Sequence, residues 1–305
     1  MAAVLLALAA ALCNSLSTIF QRIGVESAPA DAELRWKLIA YVLHRPIWFL
    51  GFVSMIGAFI FQAAALSEGG LTLVQPLLVC ELVFLVIILR VWFGHPLGWR
   101  EAVGVALAVA GLATFLAVSD QGGGNAIPSP ADWIAVVVAC AGVIGAAVGL
   151  TRFGSRPWRS AWFGVGAAVS FALGAAFMKS TTTILQRDGI VHLFFHFEPY
   201  AIAAAGLSGL FLTQNAFHAG PITASQAAIV IVDPIVSIAI GVSIFGDNLR
   251  GSFGALAFDA VALLGMSLGL FLLCHSPLIV NTRAEDRLSR QRPPGMGARP
   301  LHRSN

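Results

Sequence analysis

Nine apolar stretches, each about 18 to 24 residues long, occupy nearly the whole chain, and nothing else in the sequence constrains it as strongly. They run Ala3 to Phe20, Ile47 to Ser67, Leu71 to Phe93, Glu101 to Val118, Ala131 to Leu150, Ser160 to Thr182, Pro199 to His218, Thr223 to Phe245 and Ser252 to Cys274. A helix of about 20 residues crosses roughly 30 Å of hydrocarbon. Backbone N–H and C=O groups find no water there, so each stretch is predicted to be helical. The expected fold class is all-α, a polytopic transmembrane bundle of about nine spans.

Composition agrees. Only 11% of residues are charged, against about 25% in soluble domains, and so few polar side chains cannot clothe a water-facing surface. Nucleic-acid binding, secreted disulfide scaffolds and ordinary cytosolic enzymes are excluded on that ground. Cys13, Cys80, Cys140 and Cys274 lie in apolar runs without metal-type spacing and read as free buried thiols. The first stretch lacks a preceding Lys or Arg and continues past Leu12, so it reads as a retained span rather than a signal peptide.

Charge placement fixes an orientation. With nine alternating spans, all but Lys179, Arg187 and Arg250 of the 18 lysines and arginines fall on one side. By the positive-inside rule the protein is expected to be multi-pass in the plasma (inner) membrane, with its N-terminus outside and its C-terminus cytoplasmic. Residues 1–118 form a first transmembrane repeat, with a cytoplasmic interfacial helix at about 31–44 or, alternatively, a distorted tenth span. Residues 119–130 are an exterior linker, 131–150 a connecting helix, 160–275 a second repeat and 276–305 a disordered basic cytoplasmic tail. The tail's first reading is a topology anchor, with attraction to anionic lipid heads as the alternative.

The two repeats are related by inversion. Setting Leu12 to Arg22 over Val169 to Lys179 pairs Leu16 with Leu173, Phe20 with Phe177 and Arg22 with Lys179. Further on, Gln62 meets Gln214, Gln75 lies near Gln226, and Glu81 meets Asp233. The arrangement is four plus one plus four spans, so the second copy enters from the opposite face. Arg22 and Lys179 are then charged span ends at mirror-related positions. Inverted halves that exchange conformations open one midplane site to either side in turn.

Glu81 and Asp233 are each the eleventh residue of their spans, near the bilayer centre. A central charged residue costs about 2.5 to 3.5 kcal/mol, which marks the pair as candidate substrate or ion ligands, or as a protonated packing contact. Pro76 and Pro234 beside them open or bend the helices and are candidate gating breaks. Gln62, Gln75, Gln214, Asn215 and Gln226 add donors and acceptors for a polar path, as Asn14 does in the first span, or else they bond between helices. Asp259 is a lesser acidic candidate. His192 and His196, with Glu198 nearby, lack a third metal ligand and read as interfacial.

The glycine patterns Gly145 to Gly149, Gly166-Ser170-Gly174 and Gly265 to Gly269 read as helix-packing faces within one chain, with a homodimer as the alternative. No GxxxxGK or nucleophile elbow occurs, so neither ATP-driven transport nor enzymatic chemistry is expected, and no cofactor. The partners implied are membrane lipids and a small-molecule or ion substrate.

The strings ALSEGGLTLVQPLLVCELVF (Ala65 to Phe84), AFHAGPITASQAAIVIVDPI (Ala216 to Ile235) and ALGAAFMKS (Ala172 to Ser180) resemble the drug/metabolite transporter superfamily over roughly residues 1 to 275. Nine spans, a long first connection and Trp48-x-x-Gly51 are most similar to its nine-span, NIPA-like magnesium-transporter and EamA-like branch. In place of the Gly-Glu that branch carries in its second span, this chain has Gly57-Ala58. The resemblance implies a gradient-driven carrier with a central cavity. A divalent-cation channel or carrier and a non-transporting scaffold or accessory subunit are the alternatives.

Overall fold

The computed structural model describes residues 1–26, 46–93, 98–118, 127–247 and 253–275. The interfacial helix expected at about 31–44, most of the 119–130 linker and the basic tail lie outside the described residues. Within them the chain is helical and contains no strand.

The helices are α1 (Ala2–Glu26), α2 (Pro46–Glu68), α3 (Leu71–Leu78), α4 (Glu81–Phe93), α5 (Trp99–Val118), α6 (Pro130–Leu150), α7 (Arg156–Leu193), α8 (Glu198–Ala219), α9 (Ile222–Ile240) and α10 (Phe253–Cys274). A π-helical turn, Gly241–Phe245, extends α9. Seven helices among the described residues are long and apolar enough to cross a membrane, with α3 and α4 together making one of them. The outer faces expose large apolar side chains such as Phe49, Ile60, Val138, Leu207, Phe211 and Leu264. A surface of that kind is matched to hydrocarbon, so the chain is a membrane-embedded helical bundle.

Local chemistry sets the helix ends. The Ser129 hydroxyl accepts the Asp132 N–H at 3.3 Å while Asp132 accepts the Ser129 N–H at 2.9 Å, and Pro130 fills the first helical position. That reciprocal cap starts α6 at the polar end of an apolar run. Pro76 cannot donate a backbone hydrogen bond, and two residues after it α3 ends. The turn at Val79 and Cys80 is tied by Cys80 N–H to Leu77 O at 3.1 Å and Leu82 N–H to Val79 O at 3.2 Å. By contrast α9 runs through Pro234 without interruption, and the eighth apolar stretch changes character only at the π turn. Gly246 ends that turn at φ 67°, a left-handed conformation that glycine adopts freely.

Several hydroxyls bond within their own helices: Ser15, Thr18, Ser54, Thr114, Ser170 and Thr213 each approach the carbonyl four residues back as donors.

Packing follows two parallel patterns. Helix α1 lies along α2 and touches α3 and α4, while α7 lies along α8 and touches α9. Helix α5 crosses α10, α3 crosses α9, and α6 leans on α7. The α5 and α10 backbones meet directly, since a Cβ built on Gly269 would sit 2.5 Å from Ala108 N and one on Gly111 2.6 Å from Met266 N. The core gathers around α3, where Leu71, Val74 and Leu77 pack with Leu66, Val169, Phe177 and Phe245.

Lys179 lies well inside α7: the polar residues from Thr181 to Asp188 remain helical before a kink at Gly189, whose φ is 79°, and the lysine is only 3% exposed. The glycine patterns divide. Gly166 and Gly174 pack on α8 and Gly269 on α5, whereas among the described residues nothing lies within 4 Å of a Cβ on Gly145, Gly149 or Gly265.

Candidate functional site

The break between α3 and α4 sets Glu81 at the first position of α4, where it is half-buried. Two α1 residues hold it. The Ser15 hydroxyl has one proton for two carbonyls, Glu81 O at 2.6 Å and Ala11 O at 3.0 Å, and the Asn14 side chain hydrogen-bonds the Glu81 carboxyl. On α9, the Asp233 carboxyl is near enough for the charge on Glu81 to act on it. Asp233 Oδ1 is buried and has no hydrogen-bond partner among the described residues. Two carboxyls from sequence-distant helices thus lie within electrostatic reach of one another, and one of them has a buried acceptor.

Helices α3 and α9 also share a register. A Cβ on Gly241 would meet Thr72 Oγ1 at 3.0 Å and Leu71 Cβ at 3.3 Å. With the start of α3 at the end of α9, and Glu81 near Asp233, the two run antiparallel. Counting four residues in from that contact along each helix reaches Gln75 and Ser237. Gln75 is 2% exposed and Ser237 fully buried, yet among the described residues Gln75 Nε2 and Ser237 Oγ lack partners. Buried polar atoms without partners are uncommon, and a row of them marks a place built for water or solute.

The other expected ligands are scattered. Gln62 and Gln226 are half-buried on α2 and α9, Gln214 is exposed on α8, and Asn215 donates its Nδ2 to Phe211 O of its own helix at 2.8 Å. Pro76 and Pro234 are both buried. Arg22 lies in the last turns of α1. Asp259 is buried on α10. His192 Nδ1 approaches Asp188 O at 2.9 Å, and His196 lies past the end of α7 with its Nδ1 3.7 Å from Glu198 Oε2, so the two rings do not share a helical face.

Sequence reasoning missed the second polar cluster. Lys179 Nζ donates to Gly69 O at 2.7 Å and Leu66 O at 3.3 Å, and the Asp247 carboxylate acts on its charge. Asp247 Oδ2 accepts the Thr72 N–H at 3.0 Å and the Thr72 hydroxyl. Asp247 follows an apolar run and a glycine, a position that ordinarily reads as solvated loop. The available signal was Lys179 itself, a buried cation that requires an anion.

No protein-family model matches the chain, and no solved structure matches it. An uncharacterized protein of Corynebacterium glutamicum is 27% identical over 287 residues, covering 94% of this chain and 95% of the relative. The similarity extends over nearly the full length of both sequences.

Proposed function

We propose that the chain is a gradient-driven secondary transporter of small solutes or ions in the plasma membrane, of drug/metabolite-transporter type. One observation carries this reading: in a membrane bundle Glu81 and Asp233, far apart in sequence, lie within electrostatic reach of one another, and among the described residues Asp233 Oδ1 is buried without a hydrogen-bond partner. A packing contact has no need to strand an acceptor in low dielectric, whereas a ligand site does.

On this reading α8 and α10, each a 22-residue helix, join the seven as spans eight and nine. The repeat is inverted, which the mirrored packing of α1 on α2 and α7 on α8, with the cross-pairs α5–α10 and α3–α9, supports. The positive-inside distribution puts the Gly69, Trp133 and Asp247 end of the bundle at the exterior.

The test is charge movement or tracer flux in proteoliposomes, challenged separately with gradients of protons, sodium, magnesium, a tetraalkylammonium ion and a neutral amino acid. At least one gradient is expected to drive a response that is absent from protein-free vesicles and lost in the Glu81→Gln/Asp233→Asn double variant. Sustained voltage-driven magnesium current without countertransport would convert the reading to a channel. Silence toward every gradient in well-folded protein would favour a scaffold.

A further inference from the structure

We propose that Lys179, Asp247 and Thr72 form a latch that closes the exterior end of a polar seam running between α3 and α9 to the midplane acids. The inference rests on the transporter reading for its purpose, but on separate residues for its geometry.

The latch joins four elements at one point. Lys179 from the middle of α7 binds the last carbonyls of α2 and the following loop, at Leu66 and Gly69. Asp247, just beyond the π turn, caps the first turn of α3 through Thr72. Its carboxylate is seated so closely that a Cβ on Gly70 would lie 2.7 Å from Oδ2, and one on Gly241 2.6 Å. Lys179 and Asp247 are 3% and 5% exposed, so both charges, the lysine bound at Gly69 O and the carboxylate seated against Gly70, are closed to water.

An aromatic lid lies next to it. Trp133 stacks on Phe177 with centroids 4.6 Å apart and meets Phe197 and Phe245 edge-on, each at 6.1 Å. Phe177 and Phe245 stand two residues before Lys179 and Asp247, so latch and lid share the same backbone segments. Behind the latch lie the unpartnered Gln75 Nε2 and Ser237 Oγ, then Asp233 Oδ1. The seam is polar within and shut at this end.

A static plug is better built from apolar side chains, because burying an ion pair costs desolvation of both charges. A charged latch differs in that water repays the groups when it opens. Wet-open and dry-closed states are then close in free energy, as a gate requires, and the π turn with left-handed Gly246 gives Asp247 a short segment on which to move.

The test uses a chain in which Cys13, Cys80, Cys140 and Cys274 are replaced by alanine and Ser237→Cys is introduced, in right-side-out and inverted vesicles. With the latch intact, a membrane-impermeant maleimide should label position 237 slowly from the exterior. Asp247→Asn, which keeps an acceptor for Thr72 but removes the charge, should speed exterior labelling at least tenfold. Lys179→Gln removes the opposite charge from the latch and leaves the Asp247 cap, so it gives the same reading should the first variant misfold. Exterior labelling within twofold of the parent in either folded variant, or equally fast labelling with the latch intact, overturns the gate. The assay needs no substrate. Accessibility that opens on breaking the latch without any charge movement keeps the gate and removes the carrier, while charge movement with unchanged accessibility does the reverse.

Discussion

Asp247 and Thr72 stand 175 residues apart in the chain, yet the carboxylate of one accepts both the backbone N–H and the hydroxyl of the other. Gly70, at the N-cap of α3, has no side chain with which to satisfy that helix's first donors. A distant acid does so instead, and its negative charge suits the positive end of the helix.

Space around that carboxylate is exhausted, so Gly70→Ala and Gly241→Ala should each lower stability by about 1 to 3 kcal/mol, the usual cost of overpacking. Gly145→Ala and Gly149→Ala in α6, where a Cβ meets nothing within 4 Å, should be neutral or gain up to about 1 kcal/mol from helix propensity. Urea unfolding in detergent micelles, followed by circular dichroism, separates the two classes.

The contact between α5 and α10 depends on absent side chains. Gly111→Val and Gly269→Val must push the two backbones apart, since even a Cβ would lie 2.6 Å from Met266 N or 2.5 Å from Ala108 N. Losses larger than those at Gly70 are expected, because backbone cannot step aside as a carboxylate can. The thermal midpoints of the four variants, ranked, check it.

Trp133 is the centre of the aromatic lid, stacked on Phe177 and edge-on to two other rings. Trp133→Ala should cost about 3 to 5 kcal/mol through the cavity it leaves. Trp133→Phe keeps aromatic pairing and should recover at least half of that loss in the same unfolding assay.

How much of this was legible in the sequence depends on which force set each feature. Apolar length fixed the helices: α2, α5, α6, α8 and α10 begin and end within a few residues of the hydropathy limits. Glu81 and Asp233 stood out because an acid at mid-span has few excuses. Hydropathy was blind where polar residues stay helical, as in α7 beyond Thr182, and where a charge beside a glycine is drawn into the core by tertiary contact, as Asp247 is. Nor does pattern tell which small residues meet a neighbour: Gly269 touches backbone, while Gly265, one turn earlier, touches nothing.

Orientation is checked by fusing reporters to the chain. A fluorescent protein after Asn305 should mature in the cytoplasm, and alkaline phosphatase inserted in the 119–130 linker should be active outside. The opposite result for both would invert the bundle and turn the latch toward the cytoplasm.

The most direct measurement compares three chains: Glu81→Gln, Asp233→Asn and the two together, by charge movement in proteoliposomes under whichever gradient drives the unaltered protein. If the two carboxyls serve one site, each single change should reduce the response at least tenfold, and the double change should add little, because groups that act as a unit fail together. Single variants that keep the full response, or losses that simply multiply as for independent sites, would contradict it.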